Sequence, residues 1–459
     1  MIEFKKDKVL IRGLSNGIKS EIEVPGDKSI SHRAIMLGSL AAGKSTVSNL
    51  SLSRDNLATV AAFRKLAVNI KKHNPNDSGR NFIINGVGLN GLKEPETIIN
   101  TANSGTLTRL LAGILAGNDF FSVLSGDKYL NSRPMKRIIE PLSLMGAKIT
   151  GRKGNGYPPL ALTGGGLKSI FYEVPVPSAQ VKSCVMLAAL FAEGDTVIYE
   201  KKKTRDHTEN LLKLQGYPLN VDTSVNGGSL ISIKGRGNGE LKPFNIDIPG
   251  DFSSAAFFIA LGILNKDSEI TLSNILLNDK RTGFIKALEM MGADVSLIVK
   301  GEIPEKTGDI KAKYSSLSGI TVPRELVPDM IDEFPIFSVI ASFAEGKTIV
   351  TGAKELRVKE SDRIKTIVFN LTKLGVDIKE LEDGFEINGR PDLINFKPPA
   401  KSKIDNLTEL NSFGDHRIAM SMIIAGFILK NRKIEVRGIR CINTSFPEFF
   451  DTVSRLINQ

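Results

Sequence analysis

An internal repeat is the feature that most constrains how this chain can fold. Residues 24–29 (VPGDKS) return as residues 248–253 (IPGDFS), and each copy runs into an apolar stretch with helical spacing. Weaker counterparts of the same pattern begin at residues 101, 174, 327 and 410. The six starts are spaced by roughly 75 residues, which is too long for a solenoid repeat. The chain therefore predicts six similar units.

Each unit has the pattern of an α/β structure. A short extended segment meets a loop of Pro, Gly, Ser or Asp, and a helix of about a dozen residues follows, with Ser or Asp placed to cap it. A strand, a second helix and further strands complete the unit. Because the two PGD copies stand three units apart, we expect two domains of three units each. Residues 1–24 and 248–459 would form one domain, and residues 25–247 the second, inserted domain.

The composition predicts a soluble globular protein. Hydrophobic residues make up 41% of the 459 residues, which is enough for more than one core. The only cysteines, Cys184 and Cys441, exclude a disulfide framework and an all-cysteine zinc site, so we expect a cytoplasmic protein. The first residues lack the apolar core of a signal peptide, and no apolar run reaches about 18 residues, so no membrane association is expected.

The net charge is positive, with 61 basic against 50 acidic residues and a balance of +11. Such a surplus can attract nucleic acid, attract small anions or simply keep the protein in solution. Nucleic-acid-binding proteins tend to cluster Lys and Arg and to interleave them with aromatic residues. Here the basic residues are scattered and Trp is absent, which disfavours nucleic acid but does not choose between the other two.

Residues 38–45 (GSLAAGKS) match the P-loop pattern of nucleotide-binding proteins letter for letter. A P-loop needs a strand before it and a helix after it, so that the helix N-terminus can hold a phosphate. Here the pattern predicts a helix over 30–42 and a strand over 46–50, which is the reverse order. The repeat contains copies of this turn at 192–197 (AEGDTV) and 344–350 (AEGKTIV). We therefore interpret Gly43 as a helix C-cap and not as part of a nucleotide site.

The loops at the helix starts are rich in cationic and polar residues. Several helix N-termini together suit anions, and Arg adds bidentate contacts to carboxylate or phosphate. The candidates at helix starts are Lys28, Ser29, His32, Arg33, Asn103, Ser104, Gly105, Thr106, Arg109, Ser178, Ala179, Gln180, Lys182, Asp415, His416 and Arg417. Further cationic loops are 131–134 (NSRP), 204–207 (TRDH) and 358–363 (VKESDR). Capping and salt bridges explain many of these residues singly, whereas Lys28 and Arg33 replace phenylalanines of the second PGD copy.

Two acids stand among these cations, Asp332 in the segment MIDEFP and Glu360 in the segment VKESDR. An acid pair beside several cations suits proton transfer on an anionic substrate. Both acids are equally well explained as ion-pair partners of nearby Arg or Lys, and the residues alone leave the two interpretations open.

Taken together, the motifs resemble those of the 5-enolpyruvylshikimate-3-phosphate (EPSP) synthase family, the 3-phosphoshikimate 1-carboxyvinyltransferases. The motifs that carry the resemblance are PGDKSISHRA from Pro25, SAQVKS from Ser178, TRDHTE from Thr204, MIDEFP from Met330, RVKESDR from Arg357, DHRIAM from Asp415 and TSFPEF from Thr444. The resemblance implies an α/β fold of two domains, each made of three βαβαββ units (an inverse α/β barrel), with the active site in the cleft between them.

The implied reaction moves the enolpyruvyl group of phosphoenolpyruvate onto the 5-hydroxyl of shikimate 3-phosphate, by addition and then elimination of phosphate. The resemblance implies a cytoplasmic monomer that uses neither metal nor organic cofactor and binds no nucleic acid or membrane. The implied shikimate 3-phosphate ligands are Lys28, Ser29, Arg33, Ser178, Ala179, Gln180, Arg205, Asp332 and Lys359. The implied phosphoenolpyruvate ligands are Lys28, Asn103, Gly105, Arg133, Gln180, Arg363 and Arg417. The implied catalytic residues are Asp332, which takes the hydroxyl proton, Glu360, which protonates the methylene carbon, and Lys28, which helps the phosphate leave.

Two departures from the family pattern stand out. Thr444 replaces a lysine that many members carry before T-F-P, and Gly105 stands where members of the most similar subclass often have Ala.

Two alternative functions share some of these sequence features. UDP-N-acetylglucosamine enolpyruvyl transferase shares the chemistry, but it usually has Lys-Asn at the Lys28-Ser29 position and a catalytic cysteine on a loop. A nucleic-acid-binding protein would bind with strong salt dependence and without phosphoenolpyruvate.

Overall fold

A computed structural model describes residues 2–73, 79–223, 227–395 and 407–457. The chain separates into two compact units. Unit 1 comprises residues 1–25, 249–302 and 306–459, and unit 2 comprises residues 26–248 and 303–305. The sequence predicted domain boundaries at 24/25 and 247/248. It did not predict that three residues from the second half of the chain belong to unit 2.

Unit 2 contains three buried helices, each followed by strands and a shorter helix. Its helices are α1 (Lys28–Leu40), α2 (Arg54–Lys65), α3 (Gly105–Ala116), α4 (Lys136–Leu144), the single turn α5 (Arg152–Asn155), α6 (Ala179–Ala189) and α7 (His207–Leu214). Its strands are β4 (Ala42–Ser48), β5 (Asn69–Lys72), β6 (Phe82–Val87), β7 (Ile99–Asn100), β8 (Phe121–Ser125), β9 (Lys148–Gly151), β10 (Tyr157–Thr163), β11 (Phe171–Val174), β12 (Thr196–Glu200), β13 (Leu219–Asp222), β14 (Ser229–Ile233) and β15 (Asn245–Asp247).

Unit 1 follows the same plan. Its helices are α8 (Phe252–Leu264), α9 (Gly283–Met290), α10 (Phe334–Phe343), α11 (Arg363–Lys373), α12 (His416–Ile428) and α13 (Phe449–Ile457). Its strands are β1 (Ile2–Lys5), β2 (Lys8–Arg12), β3 (Lys19–Ile22), β16 (Glu269–Leu276), β17 (Asp294–Gly301), β18 (Thr307–Lys313), β19 (Gly346–Val350), β20 (Asp377–Leu381), β21 (Gly384–Gly389), β22 (Leu407–Asn411) and β23 (Lys433–Arg437).

The strands of the described residues form six sheets, three in each unit. The sheet orders are β15-β4-β6-β5, β7-β8-β10-β9 and β11-β12-β14-β13 in unit 2, and β17-β18-β16-β3, β19-β21-β20 and β1-β2-β23-β22 in unit 1. A repeated parallel pair, such as β11 with β12 on either side of α6, reflects the β-helix-β pattern of the repeat. The predicted α/β fold of six units in two sets of three is confirmed.

The two strands at which the chain passes from one unit to the other pair with strands far away in the sequence. Strand β3 precedes α1 of unit 2, yet it pairs in parallel with β16 of unit 1, where Lys19 lies opposite Glu269. Strand β15 precedes α8 of unit 1, yet it pairs in parallel with β4 of unit 2, where Asn245 lies opposite Thr46. Each unit therefore completes one sheet with the strand that leads the chain into the other unit.

The inner helices bury almost their whole surface. Every residue of α8 and of α10 is buried, as expected for helices that are apolar on all sides. Side chains cap the helix starts as predicted. Asp27 accepts a hydrogen bond from the Ile30 N–H at 2.9 Å, and Asp251 accepts one from the Ser254 N–H at 2.7 Å.

The helix-before-strand order at residues 38–45 is confirmed, but the predicted role of Gly43 is wrong. Helix α1 ends at Leu40, and Ala41 is its C-cap in extended geometry. Gly43 lies inside β4 with φ at +134°. The glycine therefore permits an unusual strand backbone directly after the helix and does not terminate the helix.

Candidate active site

In unit 1, one buried guanidinium connects the two acids predicted from the sequence. Arg363 is the first residue of α11, and its Nη2 donates to Glu360 Oε2 at 2.7 Å. Its Nη1 lies 3.4 Å from Asp332 Oδ1, and its Nε donates to Asp415 Oδ2 at 2.8 Å. Burial lowers the pKa of Arg363, but these three carboxylates outweigh burial and raise it above its usual range. Arg363 therefore stays charged and fixes the geometry of both acids.

The other two predicted residues of unit 1 join the same group. Lys359 Nζ lies 3.8 Å from Asp332 Oδ1, and Arg417 Nη1 donates to the Asp332 carbonyl oxygen at 3.1 Å. Asp332 and Glu360 stay partly exposed, with 17% and 23% of each side chain accessible. An anionic ligand can therefore reach cations that already surround the two acids.

Asp415, one of the candidates at helix starts, also belongs to this group through a contact that the sequence did not predict. It is fully buried, caps α12 by accepting from the Arg417 N–H at 2.9 Å, and also pairs with Arg363. The signal was present in the DHR segment at the helix start, but its capping role concealed the ion pair.

In unit 2, the residues predicted for phosphoenolpyruvate are linked by hydrogen bonds at the start of α3. Arg133 Nη2 donates to Asn103 Oδ1 at 2.9 Å. Arg109 Nη1 donates to Gln180 Oε1 at 2.5 Å, and Gln180 Nε2 donates to Thr106 Oγ1 at 2.9 Å. Arg109 therefore contacts the side chain of Gln180, one of the predicted ligands.

Gly105 lies against the two guanidinium groups of this cluster. A Cβ added at Gly105 would lie 2.9 Å from Arg109 Nη1 and 3.3 Å from Arg133 Nη1. The absence of a side chain at position 105 therefore lets both arginines approach the N-terminus of α3.

Arg33 joins three elements of unit 2. Its Nε donates to Thr208 Oγ1 at 2.7 Å on α7, its Nη2 donates to Ser183 Oγ at 2.8 Å on α6, and its Nη1 donates to the Ser29 carbonyl. Burial lowers the pKa of Arg33 to about 10, against the opposing effect of nearby carboxylates. Each nitrogen of Arg33, a predicted shikimate 3-phosphate ligand, thus donates a hydrogen bond within unit 2.

The remaining predicted residues of unit 2 lie at helix starts or beside them. Lys28 opens α1 and forms an ion pair with Asp55, while Ser29 follows it, partly exposed. Ser178 caps α6 by accepting from the Val181 N–H at 3.4 Å, and Ala179 and Gln180 form its first turn. Arg205 lies two residues before α7.

A buried ionic network holds the segment that carries Arg205. Lys182 Nζ contacts Glu200 Oε1 at 2.8 Å and Glu209 Oε1 at 2.7 Å, and Glu200 Oε2 accepts from the Thr204 hydroxyl at 2.7 Å. Lys182, which the sequence grouped with the polar and cationic residues at helix starts, is therefore a buried structural residue. On the other side of Arg205, His207 Nδ1 lies 2.8 Å from Glu305 Oε1, and Glu305 belongs to the three-residue segment from the second half of the chain.

The two cysteines bear on the alternative enolpyruvyl transferase, which usually has a catalytic cysteine on a loop. Burial raises the pKa of both Cys184 and Cys441 to about 12, so neither thiol is suited to act as a nucleophile. Cys184 lies in α6, and Cys441 lies in a 3₁₀ turn (Ile439–Thr444) after β23. Thr444 donates its hydroxyl to the Cys441 carbonyl at 2.6 Å.

The sequence of this chain matches a known family over nearly its whole length. A sequence profile described as EPSP synthase (3-phosphoshikimate 1-carboxyvinyltransferase) matches residues 14–453. The chain belongs to the EPSP synthase family. It is 48% identical over 441 residues to the 3-phosphoshikimate 1-carboxyvinyltransferase of Thermodesulfovibrio yellowstonii, covering 96% of this chain and 97% of that protein. It is 42% identical over 443 residues to the enzyme of the same name from Geobacillus kaustophilus, covering 96% of this chain and 98% of that protein.

Solved structures agree with this membership of the EPSP synthase family. The structure of EPSP synthase from Acinetobacter baumannii superposes with a TM-score of 0.83 at 42% identity and covers 98% of both chains. The enolpyruvyl transferase NikO from Streptomyces tendae superposes with a TM-score of 0.71 at 12% identity over 98% of this chain and 97% of that one, which shows a shared fold. In the described part of this EPSP synthase family member, no helix is long and apolar enough to cross a membrane.

Proposed function

We propose that this protein transfers the enolpyruvyl group of phosphoenolpyruvate to the 5-hydroxyl of shikimate 3-phosphate and releases phosphate. The observation that carries the proposal is that Arg363 contacts both Asp332 and Glu360 in a member of the EPSP synthase family. Lys359 and Arg417 also contact Asp332. This arrangement combines two partly exposed carboxylates for proton transfer with cations for polyanionic substrates.

In this proposal, the guanidinium groups hold phosphoenolpyruvate. Its carboxylate and phosphate suit the planar donors of arginine. The ligands would be Lys28, Asn103, Gly105, Arg133, Gln180, Arg363 and Arg417. The hydrogen bonds from Arg133 to Asn103 and from Arg109 to Gln180 support it, because they order these side chains before any substrate binds.

Shikimate 3-phosphate would be bound by a second set that includes three helix starts. Its ligands would be Lys28, Ser29, Arg33, Ser178, Ala179, Gln180, Arg205, Asp332 and Lys359. The N-terminus of α6 offers free N–H groups for a phosphate, and Lys28 and Arg205 add charge. Arg33 already bonds to α6 and α7, so it would place these two helix starts correctly for the phosphate as well as attract it.

The two acids divide the proton transfers of the addition step. Asp332 would take the proton from the 5-hydroxyl of shikimate 3-phosphate while the hydroxyl oxygen forms a bond to C2 of phosphoenolpyruvate. Glu360 would give a proton to the methylene carbon C3, which completes the tetrahedral intermediate. A substrate anion beside Arg363 would compete with Glu360 for the guanidinium. Phosphate then leaves from C2 as the Glu360 carboxylate takes a proton back from C3, and Lys28 would protonate the leaving phosphate.

One assay tests the activity and the role of Asp332. Phosphate release from phosphoenolpyruvate is expected to require shikimate 3-phosphate, to fail with UDP-N-acetylglucosamine, and to fall by at least about a hundredfold in Asp332→Asn. Asp279→Asn is the matched control, because Asp279 is an exposed carboxylate of the same unit. Release without either acceptor contradicts the proposed reaction, and full activity in Asp332→Asn contradicts the assigned base.

We also propose that the protein acts as a monomer in the cytoplasm. Two thiols without a disulfide, one of them in the buried helix α6, support a reducing compartment. Light scattering coupled to gel filtration is expected to give the mass of one 49.9 kDa chain. A mass twice that value would contradict the monomer.

A further inference from the structure

A buried carboxylate lies directly behind the proposed base and is used by none of the steps above. Glu333 follows Asp332 in the chain, precedes α10, and is only 1% exposed. Its Oε1 lies 3.7 Å from Nη1 of Arg417, the same nitrogen that donates to the Asp332 carbonyl. Arg417 is thus held from two adjacent residues, by the backbone of one and the side chain of the other.

Glu333 is in turn fixed by two residues from other elements of unit 1. The hydroxyl of Ser253, in the first turn of α8, donates to Glu333 Oε1. Arg281, between β16 and α9, donates from Nη2 to Ser253 Oγ at 2.7 Å and is itself 2% exposed. Arg281, Ser253 and Glu333 form a chain of buried polar groups that ends at Arg417. We call this chain the Glu333 relay.

Stability alone does not explain the Glu333 relay, because burying a carboxylate charge costs free energy. Burial raises the pKa of Glu333 despite Arg417 and Arg281, which means that the surroundings do not fully compensate the charge. Glu333 Oε2 is buried and makes no hydrogen bond to the described residues. Well-packed apolar residues commonly stabilise a core at least as well as a buried ion pair. A role in directing Arg417 accounts for a charge at this position.

We propose that Glu333 is a positioning residue for phosphoenolpyruvate binding, which acts by holding the Arg417 guanidinium beside Asp332. Ser253 and Arg281 hold the Glu333 carboxylate in turn. None of the three is proposed to touch substrate. The inference rests on the proposed function, because it takes Arg417 as a phosphoenolpyruvate ligand.

Glu333→Gln tests the relay, because glutamine keeps the shape and can still accept from Ser253 but carries no charge toward Arg417. In steady-state phosphate-release assays, the KM for phosphoenolpyruvate is expected to rise about tenfold, while kcat and the KM for shikimate 3-phosphate stay within about twofold. Ser253→Ala, which removes the donor to Glu333, is expected to change the same KM in the same direction. Glu435→Gln is the matched control, because Glu435 is another largely buried and ion-paired carboxylate of unit 1, outside the site.

Arg417→Lys separates this inference from the proposed function. If Arg417→Lys leaves the KM for phosphoenolpyruvate unchanged, the assignment of Arg417 fails and the relay fails with it. If Arg417→Lys raises that KM but Glu333→Gln and Ser253→Ala do not, the relay alone is overturned. A lower melting temperature with unchanged kinetic constants in both relay variants would also overturn it, because that result describes a purely structural ion pair.

Discussion

At the residue scale, buried cations serve this protein by ordering other groups. Arg363 is 1% exposed and contacts three carboxylates, so it determines where Asp332 and Glu360 lie. Removing one member of a buried ion pair leaves an uncompensated charge, whereas an exposed pair contributes little. Residues of this kind are therefore the ones whose replacement affects both stability and activity.

A methyl group at position 105 should disturb two arginines of unit 2. In Gly105→Ala, the new Cβ would lie 2.9 Å from Arg109 Nη1 and 3.3 Å from Arg133 Nη1, and both guanidinium groups must shift. We expect the KM for phosphoenolpyruvate to rise about tenfold because the ligand Arg133 is displaced, with little change in melting temperature. Steady-state kinetics with phosphoenolpyruvate as the varied substrate measure this, and an unchanged KM would show that Arg133 is not a ligand.

His32 should make stability depend on pH. Burial, together with Lys28 and Arg33, lowers its pKa well below the ordinary value of 6.5. Above pH 6.5 the imidazole is neutral in the folded and unfolded chain alike. Below pH 6.5 the unfolded chain takes up a proton that the folded protein resists, so stability is lost as pH falls, by at most about 1.4 kcal/mol per pH unit.

Urea unfolding at pH 7.5 and pH 5.5 measures this effect. The loss of stability on acidification is expected to be smaller in His32→Gln than in the unaltered protein. His73→Gln is the control because His73 is exposed. Equal losses in the unaltered protein and in His32→Gln would show that this imidazole does not carry the dependence.

The types of the site residues were predictable, but their partners were not. The motifs around Lys28, Arg363 and Arg417 were visible in the sequence because several charged residues stand together there. Asp415 was named as a candidate at a helix start, but its pairing with Arg363 was not predicted, and Glu333 was not named at all. Each lies beside a more conspicuous residue and acquires its role from a contact with a distant segment. Arg363 and Asp415 are 52 residues apart, and Ser253 and Glu333 are 80 apart.

At the element scale, the starts of helices were predictable and one end was not. Ser and Asp before an apolar stretch mark a start directly, as at Asp27 and Asp251. Glycine after a helix has several uses, and Gly43 lies in a strand, whereas Gly146 and Gly292 follow α4 and α9 with positive φ. A glycine in a sequence does not indicate which of these uses applies.

Lys182 should be essential for the arrangement of α6, β12 and α7. Burial lowers its pKa, but Glu209 and Glu200 outweigh burial and raise it, so the charge persists. Lys182→Met leaves two carboxylates buried without their cation and is expected to cost about 3–5 kcal/mol of unfolding free energy. Lys201→Met is the control, because the pair of Lys201 with Glu173 is exposed to solvent and should contribute little to stability. Chemical unfolding compares the two, and equal losses would contradict the network.

At the scale of the whole molecule, the repeat predicted six units, and the strands of the described residues form six sheets. The pairings of β3 with β16 and of β15 with β4 were not predicted, because they join strands about 200 to 250 residues apart and short extended segments carry no signal of their partner. The assignment of residues 303–305 to unit 2 was not predicted for the same reason. A single carboxylate, Glu305, provides the buried contact there.

Glu305 should stabilise unit 2 although it comes from a hairpin of unit 1. Glu305→Ala removes the buried partner of His207 and is expected to cost about 1–3 kcal/mol of unfolding free energy. Glu302→Ala, at an exposed position of the same loop, is expected to change the free energy by less than about 0.5 kcal/mol. Urea unfolding measures both free energies, and equal effects of the two substitutions would show that Glu305 does not stabilise unit 2.

The three-residue segment also limits how the gene can be divided. A reading frame for residues 26–248 encodes every strand of unit 2, including β15, yet it lacks the codon for Glu305. The excised fragment would expose His207 at the start of α7, beside the loop that carries Arg205. A split form of the protein therefore works best when the hairpin of β17 and β18 is supplied with the fragment, as a fused tail or as a separate peptide.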